Sequence, residues 1–115
     1  MLYTTITINN IDYKARLNAK ACIDLEKKLG TNPINILLNM SSDASFNLPS
    51  LGTLITIIHC SLQAYEHGIT LDKVYELYDS FIQEGHTMTD LIPIVVDIYK
   101  VSGLIPEDKE LEGKN

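Results

Sequence analysis

Two cysteines and three histidines are the residues of this chain with the most versatile chemistry. Cys22, Cys60, His59 and His67 are all residue types that bind zinc. However, adjacent residues such as His59 and Cys60 point about 100° apart on a helix, and the cysteines lack a CxxC spacing. The pattern favours buried thiols and ordinary histidines, so we expect neither a metal nor another cofactor.

A nucleophile, a base and an orienting carboxylate can also be written as Cys60, His86 and Asp90. Neither cysteine lies in a recognisable activating motif. An enzyme would also need a convergent polar pocket, for which the sequence gives no signal. The sequence therefore argues against an enzyme.

Carboxylates form the clearest polar row in the chain. Asp72, Glu76, Asp79 and Glu84 have spacings that line one side of a helix. Such a row is usually a solvated face, although it can also attract a basic partner. The tyrosines near it are not accompanied by a basic stripe, so a platform for stacking nucleic-acid bases is not indicated.

The elements that position these groups follow from periodicity. The alternating runs "LYTTITI" and "IDYKARL" flank the turn "NNID" and predict a β-hairpin over about residues 2–17. The segment "NAKACIDLEKKLG" predicts a helix that is capped by Asn18 and stopped by Gly30. The segment "TNPINILLNM" predicts a short helix with Pro33 in its first turn, and "SSDASFN" predicts a polar loop.

Three more helices are predicted after this loop. The stretch "LPSLGTLITIIHCSLQAYEHG" mixes strand propensity with helical spacing, and its length and Gly68 favour a helix. The next helix is capped by Thr70 and ended by Gly85. Its apolar residues predict a single stripe: Leu71, Val74, Tyr75, Tyr78, Phe81 and Ile82. The last predicted helix lies in "TDLIPIVVDIYKVSG". It can begin with Asp90 as its cap and end at Gly103.

Together these elements predict a mainly α (α+β) fold, in which an N-terminal β-hairpin packs on a bundle of four to five helices over about residues 18–103. The length of 115 residues and the hydrophobic content of 45% suit one domain, which we place at residues 1–105. A flexible charged tail should follow at residues 106–115.

Composition narrows the classes of partner and the compartment. A net charge of -6 argues against binding to nucleic acid or to a membrane surface. The opening "MLYTTITINN" has no signal-peptide pattern, and the isolated cysteines suit a reducing compartment, so we expect a cytoplasmic protein. No apolar stretch reaches the roughly 18 residues that a membrane span requires.

Charge is segregated along the chain. Residues 1–30 hold five basic and three acidic side chains, a balance of +2, whereas residues 66–97 hold one basic and seven acidic side chains, a balance of -6. This separation predicts weak head-to-tail self-association. The basic side would be Lys14, Lys20, Lys27 and Lys28, and the acidic side would be Asp72, Glu76 and Asp79.

The last helix has more apolar residues than one stripe requires. Such a helix either lies at the centre of the core or gives half of its surface to a partner. On the second interpretation, a partly exposed set binds a partner, and we call this set the partner patch: Ile92, Val96, Tyr99 and Leu104.

The order of these segments resembles a known family. The most distinctive parts are "DLEKKLGTNPINIL", "SLQAYEHGITLDKVYELYDSFIQEG" and "TDLIPIVVDIYKVSG". From the hairpin to about Ile105, the chain resembles the tail assembly chaperones of siphovirus-type, long-tailed bacteriophages and prophages of Gram-positive bacteria. These segments are patterns of packing, caps and turns, so the resemblance brings no catalytic residues with it.

The resemblance implies a non-enzymatic role in the cytoplasm of the host bacterium. Such chaperones coat the tape measure protein, keep it soluble, assist polymerisation of the tail tube and are absent from the mature virion. The partner patch would then contact the tape measure protein. The alternative is a small cytoplasmic regulatory or adaptor protein, similar to an antitoxin, that binds one protein partner.

The end of the sequence, "EDKELEGKN", carries a further expectation from the resemblance. Members of the family are often made in two lengths, because ribosomes slip back one nucleotide and add a domain that recruits tail tube protein. In an AT-rich gene, Gly113, Lys114 and Asn115 fit the slippery codons GGA-AAA-AAC. We therefore expect this tail to be the start of a flexible linker in a frameshifted longer form.

Overall fold

The computed structural model describes residues 2–41 and 48–107, in which a two-stranded hairpin precedes five helices. The strands are β1 (Thr4–Ile8) and β2 (Ile11–Ala15). The helices are α1 (Ala19–Leu29), α2 (Ile34–Ser41), α3 (Leu51–Leu62), α4 (Leu71–Gln83) and α5 (Leu91–Val101), with a 3₁₀ turn at Met88–Asp90. The prediction of a hairpin packed on a helical bundle is therefore confirmed.

The hairpin closes through a two-residue turn. Asn9 and Asn10 have φ angles of 54° and 62°, and the strands pair in antiparallel register with Ile8 opposite Ile11. Positive φ at both turn positions defines a type I′ turn, whose twist matches that of the strands. Ile6 and Ile8 are buried against the helices, whereas Leu2 lies before β1 and is exposed.

The caps of α1 and α2 follow the sequence. The Asn18 side chain accepts a hydrogen bond from the Ala21 N–H at 2.9 Å. Gly30 ends α1 in the left-handed conformation, with its N–H donating to the Glu26 carbonyl at 2.8 Å. Pro33 directly precedes Ile34, whose N–H donates to the Asn32 side chain. These interactions satisfy backbone groups that have no partner inside a helix.

Helix α3 lies at the centre of the fold and packs against α1, α4, α5 and β2. Its buried residues surround most of the helix: Leu54, Ile55, Ile57, Ile58, Cys60, Ser61 and Leu62. Burial of β-branched side chains on several sides stabilises the helix and overrides its strand propensity. The helix ends at Leu62, well before the predicted stop at Gly68.

Helix α4 has the predicted ends and a different buried face. Thr70 caps it by accepting from the Lys73 N–H, and Gly85 follows its last turn with φ of 103°. The predicted single apolar stripe is wrong, because it divides into two sets. Val74, Leu77 and Phe81 are buried, whereas Leu71, Tyr75 and Ile82 are exposed.

Helix α5 starts after Asp90, but Asp90 does not cap it. The Asp90 carboxylate instead accepts from the Thr87 N–H at 2.9 Å, in a capping box around the 3₁₀ turn. At its other end, α5 is joined to the hairpin. The Leu17 N–H donates to the Ser102 hydroxyl at 2.8 Å, and the Arg16 guanidinium donates to the Val101 carbonyl at 3.2 Å.

Two predictions fall on residues that the structure does not describe. The polar loop after Ser41 and the charged tail after Glu107 lie outside the described ranges. Across residues 2–41 and 48–107, none of the helices has the length and apolar character needed to cross a membrane.

Candidate protein-binding surface

Three of the four residues that suggested a metal site line one polar groove. His59, Cys60 and His67 line this groove between α1 and the end of α3, whereas Cys22 is not among the residues that line it. The His59 ring is engaged, with its Nε2 3.1 Å from the Ile69 carbonyl oxygen. Among the described residues, no group of three or more histidine, cysteine or acidic side chains could hold a metal ion.

The two thiols lie in surroundings that disfavour the thiolate. Burial raises the pKa of Cys60, with smaller opposing effects from Lys28 and Asp24. Burial also raises the pKa of Cys22, and the Glu26 carboxylate adds to this effect. A raised pKa leaves less of the nucleophilic form at neutral pH, so neither thiol has an activating environment.

His86 and Asp90, the other members of the nucleophile set, lie together but apart from the groove that holds Cys60. The His86 Nδ1 is 3.4 Å from an Asp90 carboxylate oxygen. The His86 ring stacks on Phe81, with ring centroids 4.2 Å apart. Both side chains therefore stabilise the connection between α4 and α5.

The partner patch is only partly accessible. Ile92, Val96 and Leu104 are half-buried against the core, and Tyr99 is completely buried. The Tyr99 hydroxyl donates to the Pro33 carbonyl at 2.9 Å. The prediction that Tyr99 is partly exposed is therefore wrong, because much of the apolar excess of α5 packs inside the domain.

The charged residues of the predicted self-association are on the surface. Their basic members, Lys14, Lys20, Lys27 and Lys28, are exposed on β2 and α1, and their acidic members, Asp72, Glu76 and Asp79, are exposed on α4. Two lysines have partners within the chain. The Lys14 ammonium lies 4.8 Å from the centre of the Tyr3 ring, and the Lys20 ammonium lies 3.3 Å from the Asp24 carboxylate.

The main exposed apolar feature of α4 is a set that we call the α4 stripe: Leu71, Tyr75, Tyr78 and Ile82. Leu71 is 39%, Tyr75 is 49% and Ile82 is 37% exposed, and Tyr78 is half-buried. Their spacings of three and four residues place them along one line of the helix. The sequence held a signal for this surface, because the apolar residues of α4 are too many for one buried face.

The α4 stripe borders a surface groove against the start of α3. We call it the α3–α4 groove, and its residues are Leu51, Gly52, Ile55, Tyr75, Tyr78 and Asp79. Ile55 and Tyr78 also line a small apolar cavity of about 20 Å³ inside the domain. Ile55 and Tyr78 therefore connect the groove with the hydrophobic core, and the exposed residues of the groove are mainly apolar.

Acidic side chains follow one margin of this groove. Asp72, Glu76 and Asp79 each come one residue after a member of the α4 stripe, which places them about 100° further around the helix. Lys73 comes two residues after Leu71, about 200° around the helix from it, and three residues before Glu76, so it lies next to the margin on the side away from the α4 stripe. Glu84 leaves the predicted row, because its carboxylate accepts a hydrogen bond from the Asn9 N–H.

Comparison with known proteins gives one match. The model of a family of unknown function, DUF6096, matches residues 2–115. The chain belongs to DUF6096. No curated protein and no solved structure matches the chain. Membership of DUF6096 assigns no activity to the chain.

Proposed function

We propose that this chain is a tail assembly chaperone of a siphovirus-type phage or prophage, and that it binds the tape measure protein in the host bacterial cytoplasm. Its task is to keep this client soluble and to assist polymerisation of the tail tube. The proposal starts from the resemblance of the sequence to that family. The observation that carries it is the α3–α4 groove, an apolar surface on an otherwise charged helix.

The shape of the groove suits a helical client. A tape measure protein is long and helical, and helices bind apolar grooves through residues at positions i, i+3, i+4 and i+7. Tyr75 and Tyr78 offer aromatic contacts at the centre of the groove, where large side chains contribute most to binding. The exposure of these residues supports α4, in place of the partner patch on α5, as the proposed client surface.

The size of the groove suits reversible binding. Helix α4 has 13 residues and is about 20 Å long, so one groove covers only a few turns of a client helix. Small contacts of this kind are typical of weak, transient complexes. Many weakly bound copies along one client would protect it and still be displaced by the tail tube.

Co-expression tests this function. The chain is produced together with the tape measure protein encoded downstream, and the soluble fraction of the client is measured. We expect the unaltered chain to keep the client in solution and Tyr75→Ser to lose this ability. Ile23→Ser is the matched control, because Ile23 on α1 is 51% exposed and Tyr75 is 49% exposed.

The outcomes separate the candidate functions. A client that stays insoluble in the presence of the unaltered chain contradicts the chaperone proposal. A single other protein that co-purifies with the chain through Tyr75 supports the adaptor alternative. A third variant, Ile92→Ser, tests the partner patch, and a loss of client solubility in a folded Ile92→Ser protein would return the client surface to α5.

A further inference from the structure

The α3–α4 groove and the acidic row are neighbours on one helix, and together they define a ligand more closely than either does alone. The groove supplies apolar contacts through Leu51, Ile55 and Tyr75. Asp79 lines the groove itself, and Asp72 and Glu76 extend the same margin along α4. The carboxylates are exposed, so they remain hydrated until a partner approaches.

We infer that the α3–α4 groove selects an amphipathic helix whose apolar face is bordered by lysine or arginine. This inference rests on the proposed function for the identity of the client, and it names the segments of the client that are bound. Apolar side chains of the partner helix occupy the groove, and its basic residues lie against Asp72, Glu76 and Asp79.

Side-chain length makes this arrangement feasible. Lysine and arginine have long apolar stems, which can cover exposed carbon atoms while the charged end remains in water. Leu71 and Tyr75 offer such carbon atoms beside the acidic margin. One basic side chain can therefore add apolar contact with the α4 stripe and a charge contact with a carboxylate.

The acidic margin should also disfavour binding of helices that have acidic borders. A helix bordered by glutamate or aspartate would bring like charges against Asp72, Glu76 and Asp79, and such juxtaposition disfavours a wrong partner. Lys73 comes three residues before Glu76 and is its neighbour on the helix surface, so this single lysine offsets only part of the effect of three carboxylates. A long helical client would therefore be bound at its basic amphipathic segments and left free elsewhere.

Two synthetic peptides test the inference directly. Both have about five helical turns and the same leucines at i, i+3, i+4 and i+7, but the bordering positions are all lysine in one and all glutamate in the other. A third peptide keeps the lysines and distributes the leucines evenly around the helix. We expect the chain to bind the first peptide at least about tenfold more tightly than either of the others, measured by fluorescence anisotropy.

Two sets of variants locate the binding. The triple variant Asp72→Asn, Glu76→Gln, Asp79→Asn should weaken binding of the lysine peptide about tenfold. The matched control, Glu26→Gln, Glu66→Gln, Asp97→Asn, removes the same number of charges from other elements and should change affinity less than about threefold. Tyr75→Ser should weaken binding about tenfold while Ile23→Ser leaves it unchanged. Circular dichroism verifies that every variant is folded.

The outcomes also separate this inference from the proposed function. Equal affinity for the lysine and glutamate peptides, or an equal loss in the two triple variants, would overturn it. Self-association that is weakened by Tyr75→Ser would also overturn it, because a second copy of the chain would then occupy the groove. A tape measure protein that needs Tyr75 but is indifferent to the acidic triple variant contradicts the inference and leaves the chaperone function intact.

Discussion

Tyr99 donates a hydrogen bond to the backbone carbonyl of Pro33 across 66 positions of sequence, with a distance of 2.9 Å between Oη and the carbonyl oxygen. The Tyr99 side chain is 0% exposed. This bond joins α5 to the residue that precedes α2. The same carbonyl oxygen also accepts from the Ile36 N–H at 3.1 Å, so Tyr99 makes the second hydrogen bond to a buried acceptor.

Replacement of this hydroxyl should destabilise the protein. Tyr99→Phe keeps the ring and removes this hydrogen bond, while the Pro33 carbonyl keeps its bond from the Ile36 N–H. We therefore expect the free energy of unfolding to fall by about 0.5–1.5 kcal/mol. Urea denaturation followed by circular dichroism measures this change. Tyr75→Phe is the control, because Tyr75 is 49% exposed, and an equal loss in both variants would contradict the role of the bond.

Stability should fall at alkaline pH because of the same residue. Burial raises the pKa of Tyr99 far above its ordinary value near 10, with a smaller contribution from Cys22. Above pH 10 the unfolded state releases the tyrosine proton while the folded state keeps it, so this contribution is complete below pH 10 and declines as the pH rises.

Chemical denaturation at pH 8, 10 and 11 tests this dependence. We expect the difference in the free energy of unfolding between the unaltered chain and Tyr99→Phe to shrink above pH 10, by at most about 1.4 kcal/mol per pH unit. The comparison with Tyr99→Phe removes the effects of lysines and other tyrosines. A constant difference across this range would show that the folded state does not hold the proton.

The hairpin turn can be improved by one substitution. Asn10 has φ of 62°, a conformation that glycine adopts without the cost that other residues incur. Since Asn-Gly is the preferred pair for a type I′ turn, Asn10→Gly should raise the free energy of unfolding by about 0.5 kcal/mol. Asn10→Ala should lower it, and thermal melting of both variants checks the sign. Two changes in the same direction would contradict the turn assignment.

Self-association should weaken as salt concentration rises. Lys27 and Lys28 on α1 and the acidic row on α4 are exposed, and salt screens pairs of exposed charges. Sedimentation velocity at low and high ionic strength measures the oligomers. Lys27→Gln should weaken self-association, as added salt does, whereas Lys73→Gln should change self-association little. Oligomers that persist or grow at high salt would indicate apolar contacts instead.

Features set by a few neighbouring residues could be predicted from the sequence, and features set by distant packing could not. Asn18 and Thr70 cap their helices because the bond each side chain makes lies within three positions along the chain. Asp90 also lies at a helix start, but the 3₁₀ turn before it directs its carboxylate back to Thr87. A capping residue and the third residue of a capping box look alike in sequence.

The exposure of the α4 stripe depends on packing that the periodicity of the sequence does not record. Leu71 and Val74 look equivalent in the apolar pattern of α4, yet only Val74 is buried, because the position of α3 decides which side of α4 is covered. The opposite error concerns Tyr99 on α5, which was predicted to be partly exposed and is completely buried in the core. Hydrophobic spacing predicts which helix face is apolar, and neighbouring helices decide how much of that face remains exposed.

The hydrogen bonds from Arg16 and Leu17 to the end of α5 have a consequence for synthesis. Each spans 85 positions, so a ribosome must add most of the chain before the first strands find their final neighbours. At about 5–20 residues per second, the wait is roughly 4–17 s. During that interval Ile6 and Ile8 lack the α5 surface that later helps to cover them, so the apolar face of the nascent hairpin stays accessible until α5 has been made.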